Sequence, residues 1–200
     1  MGSSDLRVVK TRAAIKNSLI ELMSEKQLAD ITVSELALRA QINRKTFYRH
    51  YSSVAQVKAE LENDVLSEFA DIMRQQNTSC LDIGTVFRDI TALIGRRREY
   101  YRKLMKLNPE LFNHGRVKAM LRRTIEVSLR GVGGITDKAV LESVSGFIVS
   151  GVLSLYADWF DGGCSGSLEQ ITQTACSMTT SGLRAFISDE KLLSVSLRIR

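Results

Sequence analysis

The side chains best suited to bind a polyanion lie in one short stretch, residues 44–51. At about 100° per residue, Phe47 and Tyr51 fall on one face of a helix, and Lys45 and Arg49 point the opposite way. A threonine and a tyrosine flank the two cations. Cationic and hydroxyl groups bind phosphate oxygens and base edges, so this face suits a groove of double-stranded DNA. The same charges would also suit an ordinary solvated helix face.

Capping residues predict a second helix just before this stretch. Thr32 can cap its N terminus, and Glu35 follows at the position that a reciprocal capping box requires. After a break in the pattern, Asn43 is a suitable cap for a short helix over residues 44–50. Two helices joined by a tight turn within residues 32–51 have the layout of a helix-turn-helix, a motif that reads DNA. The agreement of spacing, capping and polarity favours DNA binding over the solvated-face alternative.

Two runs of the N-terminal sequence carry a family resemblance. They are Lys10-Thr-Arg…Ile15 and Ile31-Thr-Val-Ser-Glu-Leu-Ala…Ala40-Gln-Ile-Asn-Arg-Lys-Thr-Phe-Tyr-Arg-His-Tyr. They resemble the N-terminal domain of the tetracycline-repressor (TetR) family of transcriptional regulators, over residues 9–65. The resemblance implies an all-α homodimer whose N-terminal three-helix domain binds DNA. It also implies a larger helical C-terminal domain that holds the dimer interface and, usually, an effector pocket.

Carried over position by position, the resemblance implies two kinds of DNA contact. The residues expected to hold phosphates are Thr32, Ser34, Asn43, Tyr48 and His50, and those expected to face bases are Arg44, Lys45 and Thr46. Arg49 points outward one turn further along, so we assign it to phosphate. Two positions depart from the family pattern. Gln41 replaces the usual turn glycine, which predicts a strained left-handed residue, and Val54 replaces a lysine that would hold another phosphate.

The rest of the chain is also predicted to be helical. Its 200 residues include one proline, and because proline disrupts helix interiors, this scarcity indicates an all-α fold. Apolar residues recur at helical spacing over the stretches 9–25, 54–72, 83–95, 137–160 and 167–187. We therefore predict a helix-turn-helix DNA-binding domain over residues 1–52, a linking fourth helix over about 53–75, and an effector-binding and dimerisation domain over 76–200.

Composition excludes several other classes of protein. The formal net charge of +6 agrees with an anionic partner. Three cysteines at no metal-ligand spacing predict free thiols in a reducing compartment, so we expect a cytoplasmic protein. The longest apolar stretch, 147–160, is too short for a membrane span. The two histidines are far apart, and we find neither a catalytic constellation nor a phosphate-binding loop, so we expect no metal, no cofactor and no enzyme activity.

The C-terminal half is predicted to hold a dimer interface and an effector pocket. Helices 137–160 and 167–187 combine apolar with small residues, which favours a four-helix interface between two chains over a monomeric core. The expected interface residues are Gly151, Leu155, Trp159, Ala175 and Gly182. The expected pocket residues are Tyr100, Tyr101, Phe112 and Phe147. The basic block 96–130 either forms solvated helix faces or lines an opening for an anionic effector.

These patterns together predict a dimeric, ligand-responsive repressor that binds an inverted-repeat operator in double-stranded DNA. Its expected effector is a small, partly apolar molecule, and the fourth helix would carry the signal between the domains. The alternative keeps DNA binding but gives the C-terminal domain a protein partner instead of a small ligand. A helical enzyme is a third hypothesis, and the lack of a catalytic constellation argues against it.

Overall fold

The computed structural model describes residues 3–75, 83–108, 111–112, 115–131, 135–162 and 166–187. All regular elements within these ranges are helical, which confirms the predicted all-α class. Two of the three cysteines, Cys80 and Cys164, and one of the two histidines, His114, lie outside the described residues. The remaining cysteine, Cys176, is buried.

The helices are numbered in chain order. A 3-10 turn, Leu28–Asp30, separates the first two. The helices are α1 Ser3–Glu25, α2 Val33–Arg39, α3 Arg44–Tyr48, α4 Val54–Gln75, α5 Ile83–Arg96, α6 Arg98–Leu107, α7 Arg116–Gly131, α8 Lys138–Phe160 and α9 Leu168–Leu183. These bounds agree with the helical periodicity of the sequence to within a few residues, except that α1 begins earlier than the predicted residue 9.

Internal contacts divide the chain into two units, Met1–Val65 and Leu66–Arg200. The boundary lies inside α4, whereas the sequence predicted a first domain that ends at residue 52 and a separate linking helix. The difference arises because the first half of α4 belongs to the first core. Val57, Leu61 and Val65 are all 0% exposed.

The core of the first unit joins α1, α2, α3 and the start of α4. Its buried side chains include Ile15, Leu36, Phe47, Tyr51 and Val57. Phe47 and Tyr51 are 0% and 2% exposed, as the helical wheel predicted. A five-residue helix such as α3 is too short to be stable alone, so the burial of these two aromatic rings must hold it in place.

The turn between α2 and α3 contains the predicted strained residue. Gln41 has φ = 56°, and it is the one non-glycine residue with positive φ among those described. The backbone N–H of Ile42 donates to the carbonyl of Ala37 at 2.9 Å, which closes the turn over α2. L-residues pay a steric cost in this left-handed conformation, because Cβ approaches the following carbonyl oxygen.

The second unit is built around α8. This helix packs against α6, α7 and α9, and α9 also packs against α5. Three hydroxyls are buried together between α5, α8 and α9: Thr91 Oγ1 lies 3.0 Å from Tyr156 Oη and also contacts Thr172 Oγ1. Each buried hydroxyl therefore has a hydrogen-bonding partner, which fixes the relative positions of the three helices.

The length of α8 differs from the expectation that no apolar segment is long enough to span a membrane. By length and composition alone, α8 could cross a membrane, with a mean hydropathy of 1.6. The sequence analysis considered only the apolar stretch 147–160 and so underestimated the length of the apolar helix, because α8 begins well before Phe147. A core helix of a folded domain meets the same criterion, and α8 buries Leu141, Val149 and Leu153 within the second unit.

The positive φ of Gln41 yields a stability prediction. Gln41→Gly should raise the free energy of unfolding of the first unit by up to about 1 kcal/mol, because glycine removes the left-handed strain. The side chain is exposed, so its loss costs no packing. Amide hydrogen exchange within residues 9–65 measures the change. Gln41→Ala, which keeps Cβ, should give no such gain, and equal protection in the two variants would contradict the strain argument.

Candidate nucleic-acid interface

The exposed face of α3 brings together most of the residues predicted to contact DNA. Arg44, Lys45, Tyr48 and Arg49 are exposed, and Thr46 and His50 are partly exposed. Tyr48 projects from the helix with 52% of its surface accessible, edge-on to the Phe47 ring at a centroid distance of 5.6 Å. The buried aromatic residues thus turn a compact set of donors towards solvent, as the sequence predicted.

Thr32 and Asn43 cap the N termini of α2 and α3. Thr32 and Glu35 form the predicted reciprocal capping box on α2. The Asn43 side-chain oxygen accepts a hydrogen bond from the backbone N–H of Thr46 at 2.7 Å. The cap occupies the acceptor oxygen of Asn43, so an approaching phosphate would meet its amide N–H groups. Thr32, Ser34 and Asn43 are all exposed.

An ion pair strengthens the cap of α2. Lys26 and the Thr32 backbone and hydroxyl donate hydrogen bonds to Glu35, and these bonds lower the pKa of Glu35 to about 2. The carboxylate is therefore ionised near neutral pH, where it can accept these hydrogen bonds and complete the cap.

The sequence analysis did not identify a charged cluster that joins α1, α4 and Tyr51, which lies three residues beyond the end of α3. Glu60 Oε1 accepts hydrogen bonds from Tyr51 Oη at 2.9 Å and Arg12 Nε at 3.2 Å. Lys16 Nζ lies 3.2 Å from the same oxygen and also pairs with Asp64. A sequence signal did exist, since the two cations and the two carboxylates are each spaced four residues apart on their helices.

Glu60 is the centre of this cluster. Its partial burial would by itself raise its pKa, but hydrogen bonds from Arg12, Tyr51 and Lys16 outweigh burial and lower the pKa below the ordinary value of 4.5. The same contacts raise the pKa of the Arg12 guanidinium. Tyr51 lies three residues beyond the end of α3, and its backbone N–H donates to the carbonyl of Phe47 at 2.9 Å, so the carboxylate helps to fix the helix that carries the exposed donors.

The structure does not bring the four predicted pocket residues together. Tyr101 and Phe112 are 0% and 1% exposed and pack edge-on against Phe69, so both side chains are buried in the core. The Tyr101 hydroxyl donates to Glu68. Tyr100 stacks under the guanidinium of Arg97 at 3.7 Å. Helical periodicity cannot distinguish an aromatic core from a cavity lining, so a role of these residues in an effector pocket stays a prediction.

Phe147, the fourth predicted pocket residue, lies in a groove on the outer face of α8 and α9. The groove has a volume of about 330 Å³, and its lining includes Gly151, Leu155 and Gly182 from the predicted interface. Phe147 is 77% exposed, so it belongs to this face and not to an internal pocket. Two more apolar side chains are exposed there, Met178 at 62% and Phe186 at 48%.

Two predicted interface residues, Trp159 and Ala175, are buried in the single chain. Trp159 is 7% exposed, its Nε1 donates to the carbonyl of Gly166 at 3.0 Å, and the Arg98 guanidinium lies 4.4 Å from its ring. Ala175 is 2% exposed and belongs to the core of the second unit, although it also borders the groove. Trp159 is therefore buried within the second unit, and its place in a dimer interface stays a prediction.

A second, smaller cavity of about 50 Å³ lies within the second unit. Its walls come from the end of α4 and from α5, α7, α8 and α9, and they include Met73, Phe87, Leu121 and Val149. Neither this inner cavity nor the groove is lined by a charged side chain.

Several cations of the basic block 96–130 have acidic partners nearby. Arg97 pairs with Glu68 at 2.7 Å, and Arg102 pairs with Glu99 at 2.8 Å. Arg122 Nε lies 3.0 Å from Glu126 on the same helix. These contacts agree with solvated helix faces, and no arginine or lysine of the block lines the groove or the inner cavity.

The described residues contain no candidate metal site. No group of three or more histidine, cysteine, aspartate or glutamate side chains in those ranges is arranged to hold an ion.

Solved structures of transcriptional regulators share this fold. A TetR-family transcriptional regulator from Streptomyces coelicolor has a TM-score of 0.59 at 17% identity, over 98% of this chain and 88% of that one. SmeT, the repressor of the Stenotrophomonas maltophilia multidrug efflux pump SmeDEF, has a TM-score of 0.60 at 18% identity, over 91% and 94%. The dihydroxyacetone kinase operon activator DhaS has a TM-score of 0.57 at 14% identity, over 89% and 98%. The chain therefore has the TetR-type fold that its sequence predicted.

A short segment also matches at the level of sequence. Fifty residues are 42% identical to YxbF of Bacillus subtilis (strain 168), described as an uncharacterized HTH-type transcriptional regulator. The match covers 24% of this chain and 13% of that protein, so it spans a small part of the relative's length. No protein-family model matches the chain.

The Glu60 cluster yields a second stability prediction. Glu60→Gln should lower the free energy of unfolding by about 1–3 kcal/mol at pH 7, because it removes charge-assisted hydrogen bonds from half-buried donors. The pKa of Glu60 is lowered on folding, so its contribution is complete above pH 4.5 and is lost as the pH falls through the lower folded value. Urea denaturation of both proteins at pH 7 and at lower pH tests this.

A matched control is Glu25→Gln, which breaks a more exposed pair with Arg39. Exposed ion pairs contribute little, so this variant should change stability less. A difference between wild type and Glu60→Gln that stays constant down to the most acidic measurable pH would contradict the proposed role of the carboxylate.

Proposed function

We propose that the protein is a dimeric DNA-binding transcriptional regulator of the TetR family, and that it acts as a ligand-responsive repressor at an inverted-repeat operator. The observation that carries the proposal is the exposed face of α3. There Arg44, Lys45, Thr46 and Tyr48 point outward from a helix that Phe47 fixes in the core. The relatives with this fold include a repressor and an activator, so the direction of regulation needs a reporter measurement with and without the protein.

A short helix of this kind suits the major groove. Arginine and lysine can donate to guanine O6 and N7, and hydroxyls can position the DNA backbone. Two copies of α3 related by a two-fold axis would contact half-sites about one helical turn apart, which is why the operator is proposed to be an inverted repeat.

The proposed dimer interface is the outer face of α8 and α9. Between Ser143 and Ala157 on α8, and between Gln170 and Leu183 on α9, the sequence contains no charged residue. Stable protein interfaces are depleted of charge at their centres and enriched in aromatic residues and methionine, and this face exposes Phe147 and Met178. We favour a second copy of the same chain as the partner that covers this face. A face without charge has no electrostatic complementarity with a charged partner.

The proposed effector site is the inner cavity of the second unit. Its uncharged lining favours an uncharged, apolar molecule over the anionic effector considered from the sequence. Such a ligand regulates DNA binding only if it binds the DNA-competent and released forms with different affinities.

The small volume of this cavity also favours the second candidate function, in which the C-terminal domain binds a protein and no small ligand. Ligand sites usually enclose about 300–1,000 Å³. Thermal unfolding with a panel of uncharged apolar compounds separates the two candidates, because a compound that binds only the native state raises the melting temperature. If no compound in the panel raised it, the protein-docking alternative would be favoured.

DNA recognition is tested by selection from a random duplex pool, followed by affinity measurements on the selected site. Arg44→Ala and Lys45→Ala should each weaken binding by about 1–3 kcal/mol and relax preference at one base pair. Tyr48→Phe should weaken binding to all sequences alike, because a phosphate contact carries no sequence information. Lys58→Ala, which removes an α4 cation paired with Glu62, is the matched control and should leave base preference unchanged.

Salt dependence completes this test. Arg49→Ala should reduce the slope of log affinity against log salt by about one unit if Arg49 binds phosphate. The proposed division of labour would be wrong if Arg44→Ala and Lys45→Ala changed only this slope and left specificity intact.

The dimer is tested by Gly151→Arg. A Cβ at Gly151 meets no atom within 4 Å in the single chain, so the variant should fold with unchanged helix content. Sedimentation should show a dimer for the wild type and a monomer for the variant, because arginine would bury a charge at the centre of the face. Val127→Arg, at a 55% exposed position on α7, is the control and should remain dimeric. A wild type that sediments only as a 22.3 kDa monomer would contradict the proposal.

A further inference from the structure

We propose that an uncharged apolar ligand in the inner cavity weakens the association of two chains through the α8/α9 face. This inference rests on the proposed dimer and effector site and adds the way in which the ligand would act. It is carried by one feature of the second unit: the inner cavity and the outer groove share a single wall.

Three side chains form that shared wall. Ile148, Val152 and Thr179 line both the inner cavity and the groove. Any outward movement of these side chains therefore changes the surface on which a second chain would pack. Interface cores are packed as closely as protein interiors, so a small displacement there is costly to association.

The size of the inner cavity requires such movement. Its volume is about 50 Å³. An apolar cavity that binds benzene has a volume of about 150 Å³, so even a ligand of that size cannot enter here unless the walls yield. A ligand can therefore bind in the inner cavity only if it displaces part of the wall.

In a single chain, the shared wall is the side of the inner cavity whose side chains can be displaced most easily. On the other sides of the cavity, Leu121, Ile90 and Val149 are at most 7% exposed, and Ile148 and Thr179 of the shared wall are buried to a similar degree at 8%, so the difference lies in the space outside the wall. The shared wall has the open groove behind it, and a Cβ at Gly151 or Gly182 would meet nothing within 4 Å. A partner chain would fill this space, so the ligand binds the monomer more tightly than the dimer. Linkage then requires that dimerisation weaken ligand binding by the same factor.

Benzene is a suitable test ligand, because it is uncharged and apolar and needs a larger space than the cavity of about 50 Å³ provides. Its binding to the full-length protein is followed by chemical shift changes of the Ile148 and Val152 methyl groups. Sedimentation equilibrium, with and without benzene, gives the dimer dissociation constant. We expect benzene to raise this constant about fivefold or more, within the range of known coupling between sites.

Leu121→Ala is the matched control. It enlarges the inner cavity on the side away from the groove, so benzene should bind without moving the shared wall and should leave the dimer dissociation constant nearly unchanged. This control also tests whether benzene competes directly for the groove, since direct competition would weaken the wild-type and Leu121→Ala dimers equally and would overturn the inference. If Leu121→Ala fails to fold, Leu121→Val provides a milder enlargement at the same wall.

The outcomes separate this inference from the proposed function. Benzene binding with an unchanged wild-type dimer constant would overturn the inference alone and would leave the dimer and the cavity as proposed. A wild type that binds no benzene would overturn the inference together with the apolar effector site. A wild type that is monomeric without benzene would overturn the proposed dimer itself.

Discussion

A five-residue helix cannot hold itself in place, and the candidate DNA-binding surface depends on the burial of Phe47 and Tyr51. These two rings decide which side of α3 faces solvent. Glu60 adds a second restraint, because it accepts a hydrogen bond from the Tyr51 hydroxyl and binds cations on α1. The apolar contacts set the orientation of α3, and the charged cluster joins its end to α1 and α4. The exposed donors are therefore presented by a frame of four helices, although only one of these carries them.

The second unit meets a different constraint, since its longest helix is apolar on more faces than one chain can bury. α8 packs against three helices and still exposes Phe147 and Gly151 beside α9. The lack of charge along these two helices explains both the groove and the proposed dimer. The inner cavity lies on the other side of the same side-chain layer, so association and ligand binding would compete for the position of Ile148, Val152 and Thr179.

Charge is used in three distinct ways along the chain. On α3 the cations have a shared direction and a neighbouring tyrosine, which suits a polyanion. Around Glu60 opposite charges are enclosed within the first unit and hold helices together. On and beside α6 and α7, three arginines pair with glutamates within the second unit: Arg97 with Glu68, Arg102 with Glu99 and Arg122 with Glu126. Net charge alone would not distinguish these three uses.

The sequence by itself determined the all-α class, the helix-turn-helix with its caps at Thr32 and Asn43, and the strained turn at Gln41. These features follow from local spacing and from hydrogen bonds between residues close in the chain, so they can be derived without knowing the packing. Only the tertiary structure decided that Tyr101 and Trp159 are core residues, that Phe147 belongs to the α8/α9 face, and that Glu60 joins α1 to α4. Each of these depends on which residues distant in sequence become neighbours, and periodicity shows that a face is apolar without showing what covers it.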